Sequence, residues 1–128
     1  MKATDLMIGD WVIRRGVPEE PMRLYNMNAS RGIAYLDQDG RGVAELFENI
    51  EPILLTPQIL EKNGFDSRGA QFFCDKIGMI WWKDNIFMFS KYTRHEDLPT
   101  ENISINIGYV HELQHALKLC GIEKEIIL

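Results

Sequence analysis

The stretch Ile103-Ser104-Ile105-Asn106-Ile107-Gly108-Tyr109-Val110-His111-Glu112-Leu113-Gln114-His115-Ala116-Leu117-Lys118-Leu119-Cys120-Gly121 changes its hydrophobic period part-way along. Over 103–107 isoleucine alternates with a small polar residue, the period of a half-buried strand. From Tyr109 to Cys120 the apolar residues Val110, Leu113, Ala116, Leu117 and Cys120 fall on one side of a helix, which Gly121 stops. A strand running directly into an amphipathic helix, in a chain otherwise rich in short strands, predicts an α+β fold.

Working back toward the N-terminus, the same signals recur. Ile86–Lys91 and Met79–Lys83 read as strands around an Asp84-Asn85 hairpin turn, and Ala70–Ile77 as another. With that turn, Trp82 faces Phe87 and Ile80 faces Phe89, while Trp81 and Met88 share the opposite face. Thr93–Glu101 reads as a polar loop. Thr56-Pro57 has the cap and first-turn proline of a helix that ends at Asn63-Gly64. Before it, Trp11–Ile13, Met22–Met27, Ile33–Leu36, Gly42–Phe47 and Ile50–Leu55 read as five short strands. Pro18–Pro21 reads as a charged loop, and Asp37-Gln38-Asp39-Gly40 as a turn. Glu125–Leu128 is a candidate edge strand.

Five strands in about fifty residues, opened by Leu6-x-x-Gly9-Asp10-x-Val12, suggest a small SH3-like β-barrel. The expected organisation is a barrel unit over 1–55 and an α+β unit over 56–128. In the second, two helices flank an antiparallel sheet of three to four strands, and the barrel packs against it.

The 128 residues are 45% hydrophobic and 26% charged, with a formal net charge of -5, which describes a folded chain rather than a disordered one. The acidic balance disfavours nucleic-acid binding, which needs a Lys/Arg surplus on one face. Arg14, Arg15 and Arg31 are the nearest approach to a basic patch and read as a solvated strand end. Cys74 and Cys120 lie among apolar residues and are expected to be reduced, buried thiols. The first residues lack the apolar core of a signal peptide, and Ile77–Trp82 is too short to span a bilayer. The expected compartment is the cytoplasm, away from membranes.

One run carries possible chemistry. His111-Glu112-Leu113-Gln114-His115 matches H-E-x-x-H, in which two helical histidines bind zinc and the glutamate acts as general base on metal-bound water. A catalytic zinc needs a third protein ligand. The longer metzincin pattern would put Gly at 118 and His at 121, where this chain has Lys118 and Gly121. Only Glu123 and Glu125 follow, and His95 lies in the polar loop. The helical wheel also sets His111, His115 and Lys118 opposite the apolar stripe, on the expected wetter face. The sequence therefore favours a surface pair of histidines over a zinc hydrolase with His111 and His115 as ligands and Glu112 as base. The leading reading needs no cofactor. The other candidate surface is the aromatic hairpin, with Trp81, Trp82, Phe87 and Met88 available for a protein partner or self-association.

Tyr109-Val110-His111-Glu112-Leu113-Gln114 with Ala116-Leu117, Gly121 and Glu123, together with Ile8-Gly9-Asp10-Trp11-Val12 and Ile50-Glu51-Pro52-Ile53 before Leu55-Thr56, resembles a group of small proteins of Bacteroides-type bacteria, their prophages and other mobile elements. The resemblance spans most of the chain in order. It implies no assigned activity. It also implies that relatives often carry Gln at the position of Glu112 and typically Asn at that of His115, so that the second zinc ligand is peculiar to this chain. The reading that follows is a non-enzymatic binding or interaction module. A zinc-dependent hydrolase and a nucleic-acid-binding accessory protein stand as alternatives.

Overall fold

Among the described residues of the computed structural model, ten strands form two antiparallel sheets beside two α-helices, an α+β fold. It describes residues 1–74, 77–81, 86–91 and 103–128, with 103 and 104 through their backbone. Two units are distinguishable: Met1–Ile53 with Tyr109–His115, and Leu54–Gly108 with Ala116–Leu128.

In the first unit, β1 (Trp11–Arg14), β2 (Val17–Asn28), β3 (Ile33–Gln38), β4 (Arg41–Leu46) and β5 (Ile50–Pro52) form a sheet ordered β4-β3-β2-β1-β5. Alternation decides its inner face: Met22 and Leu24 on β2, and Ala34 and Leu36 on β3, are buried and pack with Leu6, Val12, Phe47 and Ile50. The β3–β4 turn is Asp39-Gly40, the second half of the expected Asp37–Gly40 turn, whose first half belongs to β3. Both residues have positive φ, +50° and +85°, which suits the twist of a two-residue hairpin. The hydrogen-bonded order is linear, with β4 and β5 as its ends, so no closed barrel is formed.

Pro18–Pro21 belongs to β2 instead of forming a separate loop. The two readings meet in the register. Arg14 pairs with Val17 and Val12 with Met22, so the four residues 18–21 bulge opposite Ile13 alone. Two of the four are prolines, which cannot donate to a ladder, so the chain stays extended there without regular pairing. Arg14 and Arg15 are bonded to Glu20 and Glu51, and Arg41 also reaches Glu20. The strand-end arginines are thus partnered by carboxylates, and no bare cationic patch results from Arg14 and Arg15.

The second unit begins with α1 (Pro57–Lys62), capped as expected by Thr56 Oγ1, which accepts the Ile59 N–H at 3.2 Å. Then come β6 (Asp66–Arg68), β7 (Gln71–Cys74), β8 (Ile77–Trp81), β9 (Phe87–Lys91) and β10 (Ile103–Ile107), ordered β10-β9-β8-β7-β6. This is one strand more than expected, because the polar triplet of β6 carries no hydrophobic alternation to announce it. The β8–β9 register differs from the expected one by a residue. Trp81 pairs with Phe87, Ile80 with Met88 and Met79 with Phe89. The expected Asp84-Asn85 turn and Trp82 lie outside the described residues, as does the polar loop with His95.

The shift has a large consequence, since one residue of slip exchanges faces. Phe72, Met79, Phe87 and Phe89 now share one fully buried face, with Phe72 edge-on to Phe87 at 5.9 Å. Phe87 is therefore core and not surface. Trp81 stacks beyond it at 6.2 Å and is exposed, while Met88 is half-buried on the opposite face with Ile80.

Helix α2 (Val110–Leu119) contributes residues 110–115 to the first unit and the rest to the second. Its C-terminus closes with the Ile122 N–H donating to Leu117 O, and Lys91 Nζ donates to Cys120 O at 2.9 Å. Cys120 is buried and Cys74 half-buried, both as free thiols. Among the described residues no helix is long and apolar enough to cross a membrane.

The C-terminal residues form no edge strand; a side chain holds them instead. Asn63 accepts the Ile127 N–H through Oδ1 and donates through Nδ2 to Ile127 O and Ile59 O, each at 2.8 Å. Asn63 is buried, so removing its amide strands several polar groups at once. Asn63→Ala is expected to lower stability by about 2–3 kcal/mol in urea denaturation and to raise amide exchange at Ile127.

Candidate functional site

The turn before β1 and the first half of α2 meet through polar side chains. Gly9, at a φ of +98°, takes a left-handed conformation that lets its N–H reach Leu24 O at 2.7 Å and leaves its carbonyl free for side chains. Gln114 Nε2 and Arg23 Nε both donate to that carbonyl. Gln114 Oε1 in turn accepts the Trp11 N–H at 2.9 Å, and the Arg23 guanidinium lies over the Trp11 ring at 5.1 Å. One glutamine thus satisfies a donor and an acceptor of the backbone on either side of Asp10.

Asp10 itself is 1% exposed. Its carboxylate accepts the Met7 N–H at 2.8 Å and bonds His115 Nε2 at 2.8 and 2.9 Å. A buried carboxylate is costly unless it is hydrogen-bonded, and these contacts bring a donor to each of its oxygens.

His111 and His115 do not face water as the helical wheel suggested. His111 is 6% exposed and His115 half-buried. The wheel failed because α2 is buried on two sides. The apolar stripe of Val110, Leu113, Ala116 and Leu117 occupies one, and His111, Gln114 and His115 the other. The His111 ring stacks on Tyr109 at 5.9 Å and meets the His115 ring edge-on at 5.4 Å. His111 Nδ1 is buried with no hydrogen-bond partner. Both imidazoles line a cavity of about 430 Å³, with Met1, Thr4, Asp5, Pro52, Tyr109 and Glu112 completing its wall.

Glu112, the expected general base of the zinc reading, holds the helix start. Its Oε1 accepts the Tyr109 N–H at 3.0 Å, a capping contact from the third helical residue. Among the described residues no group of three or more His, Cys, Asp or Glu side chains is arranged to hold a metal ion. The run H-E-x-x-H is therefore legible as a helix whose polar residues cap and anchor it. Sequence reasoning missed Asp10 and Gln114, whose contacts span more than a hundred residues. The only signal was the pairing of Gly9-Asp10 with an unusually polar helix side.

No family model, curated protein or solved structure matches the chain. The resemblance to mobile-element proteins accordingly rests on its motifs.

Burial pushes the His111 pKa below its ordinary value, and the neighbouring His115 acts in the same direction; the carboxylates of Asp10, Glu112 and Asp5 oppose it. The unfolded chain then takes up the proton more readily than the folded one. Stability from this group is full above about pH 6.5 and falls as the pH drops through and below that value. In chelator-containing buffer, the wild type is expected to lose stability between about pH 7 and pH 5, and His111→Phe to lose less over the same window. Denaturant midpoints at the two pH values measure this.

Proposed function

We propose that the protein is a non-enzymatic interaction module that self-associates through the outer face of its second sheet. The bonding of Glu112 supports the first half of this reading. The carboxylate that would act as base caps a helix through the Tyr109 N–H. A zinc hydrolase would need that carboxylate free to act on metal-bound water.

The observation that carries the second half is the uncharged outer face of β7, β8 and β9. Register places Phe73, Gly78, Ile80, Met88 and Ser90 there, with Gln71 beside them. Phe73 and Ile80 are exposed. In a chain of net charge -5, copies repel one another over most surfaces, so a face without charge is where they can approach. A two-fold contact sets a patch against itself and needs no charge complementarity. At the rim β6 adds Asp66 and Arg68, one of each sign. The face is small, which puts the dimer in the weak class.

The N-terminal sheet is read, within the same proposal, as an open SH3-like unit. Its meander β1–β4 with β5 beside β1 supports that strand succession. Origin in a prophage or mobile element is proposed on the sequence motifs alone.

Sedimentation from about 10 μM to about 1 mM tests the reading, a range that covers weak interfaces. The wild type is expected to shift toward dimer with concentration, and Ile80→Asp, at an exposed position, to remain folded and monomeric. A wild type that stays monomeric at the highest concentration, or a dimer indifferent to Ile80→Asp, overturns self-association through this face.

A further inference from the structure

The cavity of the first unit is not explained by helix anchoring. Anchoring uses Asp10, Gln114 and one nitrogen of His115, and leaves the His111 ring without a polar role although both histidines line a cavity of about 430 Å³. We propose that His111 and His115 bind a nitrogen-preferring divalent transition ion, zinc or nickel in class, whose remaining positions are filled by water from the cavity.

Three independent features converge on the two rings. First, His111 is 6% exposed and its Nδ1 is buried without a partner. A buried nitrogen left unsatisfied is destabilising, and a bound ion is one of the few groups that can satisfy it. Second, the Asp10 carboxylate accepts a hydrogen bond from the Nε2–H of His115, which fixes that tautomer of the neutral ring and leaves the Nδ1 lone pair for a ligand. A buried carboxylate behind an imidazole is the arrangement that orients metal-binding histidines and raises their basicity. Third, the ring centroids are 5.4 Å apart. Two imidazoles on one ion, each at about 2.0–2.1 Å, place their centroids about 5 Å apart.

The ligand set also states what the site is not. Two protein ligands make it weaker than a structural zinc site, which has four. Imidazole nitrogens favour zinc, copper and nickel over magnesium and calcium. Glu112 faces the same cavity but caps the helix through Tyr109 N–H, so the bound ion is held without a free general base. The inference stands apart from self-association, which uses another surface.

Zinc alone is titrated into the full chain while the imidazole signals of its three histidines are followed by NMR. His111 and His115, assigned by His→Gln variants, are expected to shift or broaden together by one equivalent, with His95 unchanged and magnesium without effect. Affinity is expected to fall at least about tenfold in His111→Gln. In Asp10→Asn, where the carboxylate acts only as a positioning residue, the loss is expected to be about tenfold or more. Where a variant fails to fold, the wild-type signals decide alone. A response confined to His95, no response at about tenfold excess, or unchanged affinity in a folded His111→Gln overturns the proposal.

Discussion

A carboxylate buried to 1% exposure has to be surrounded by donors, and in this protein that requirement organises the first unit. Asp10 sits at the mouth of β1, where Gly9 turns the chain. The Met7 N–H and the His115 imidazole supply its bonds, and its own backbone carbonyl accepts the Leu24 N–H at 2.9 Å. Gln114 repeats the logic one residue back on the helix, satisfying Gly9 O and the Trp11 N–H. The result is a helix start attached by directional bonds to the turn that leads into β1. Apolar contact alone would tolerate rotation of the helix about its axis. Two adjacent side chains bonded to three consecutive residues do not.

The same attachment gives a structural use to the polar residues of a run that reads as a zinc protease motif. The spacing of His111 and His115 puts both on one helix side, as metal binding needs, but that side faces Asp10 and the cavity, and among the described residues no third ligand is arranged beside them. Glu112 is spent on the helix start. Whether an ion uses the two rings is then a question of binding, separate from hydrolysis. The surface that carries the interaction reading lies elsewhere, on the outer rows of β7–β9, where the described side chains carry no charge.

Much of the fold was legible from short-range chemistry. The Asp39-Gly40 turn, the Thr56-Pro57 helix start, the Ile103–Ile107 alternation and the stop at Gly121 are all local signals, and each gave the element it implied. What was not legible depended on partners far away or on register. Pro18–Pro21 looked like a loop because proline and glutamate rarely pair in strands; here the strand carries them as a bulge. The hairpin register differs by one residue from the one the sequence suggests, with Trp81 and not Trp82 opposite Phe87. His111 and His115 were placed on the wet side because a helical wheel knows only the hydrophobicity of its own residues. Yet His115 bonds Asp10 and the neighbouring Gln114 bonds Gly9, both about a hundred residues earlier in the chain.

The claim that the Asp10 carboxylate holds the helix through His115 is tested most directly by a double-mutant cycle on Asp10→Asn and His115→Gln, read by urea denaturation at neutral pH. A charge-assisted, largely buried bond of this kind gives a coupling energy of about 1.5–3 kcal/mol, with each single variant costing nearly as much as the pair. A coupling below about 0.5 kcal/mol, within the additivity of independent sites, would contradict it and leave the helix held by its apolar face alone.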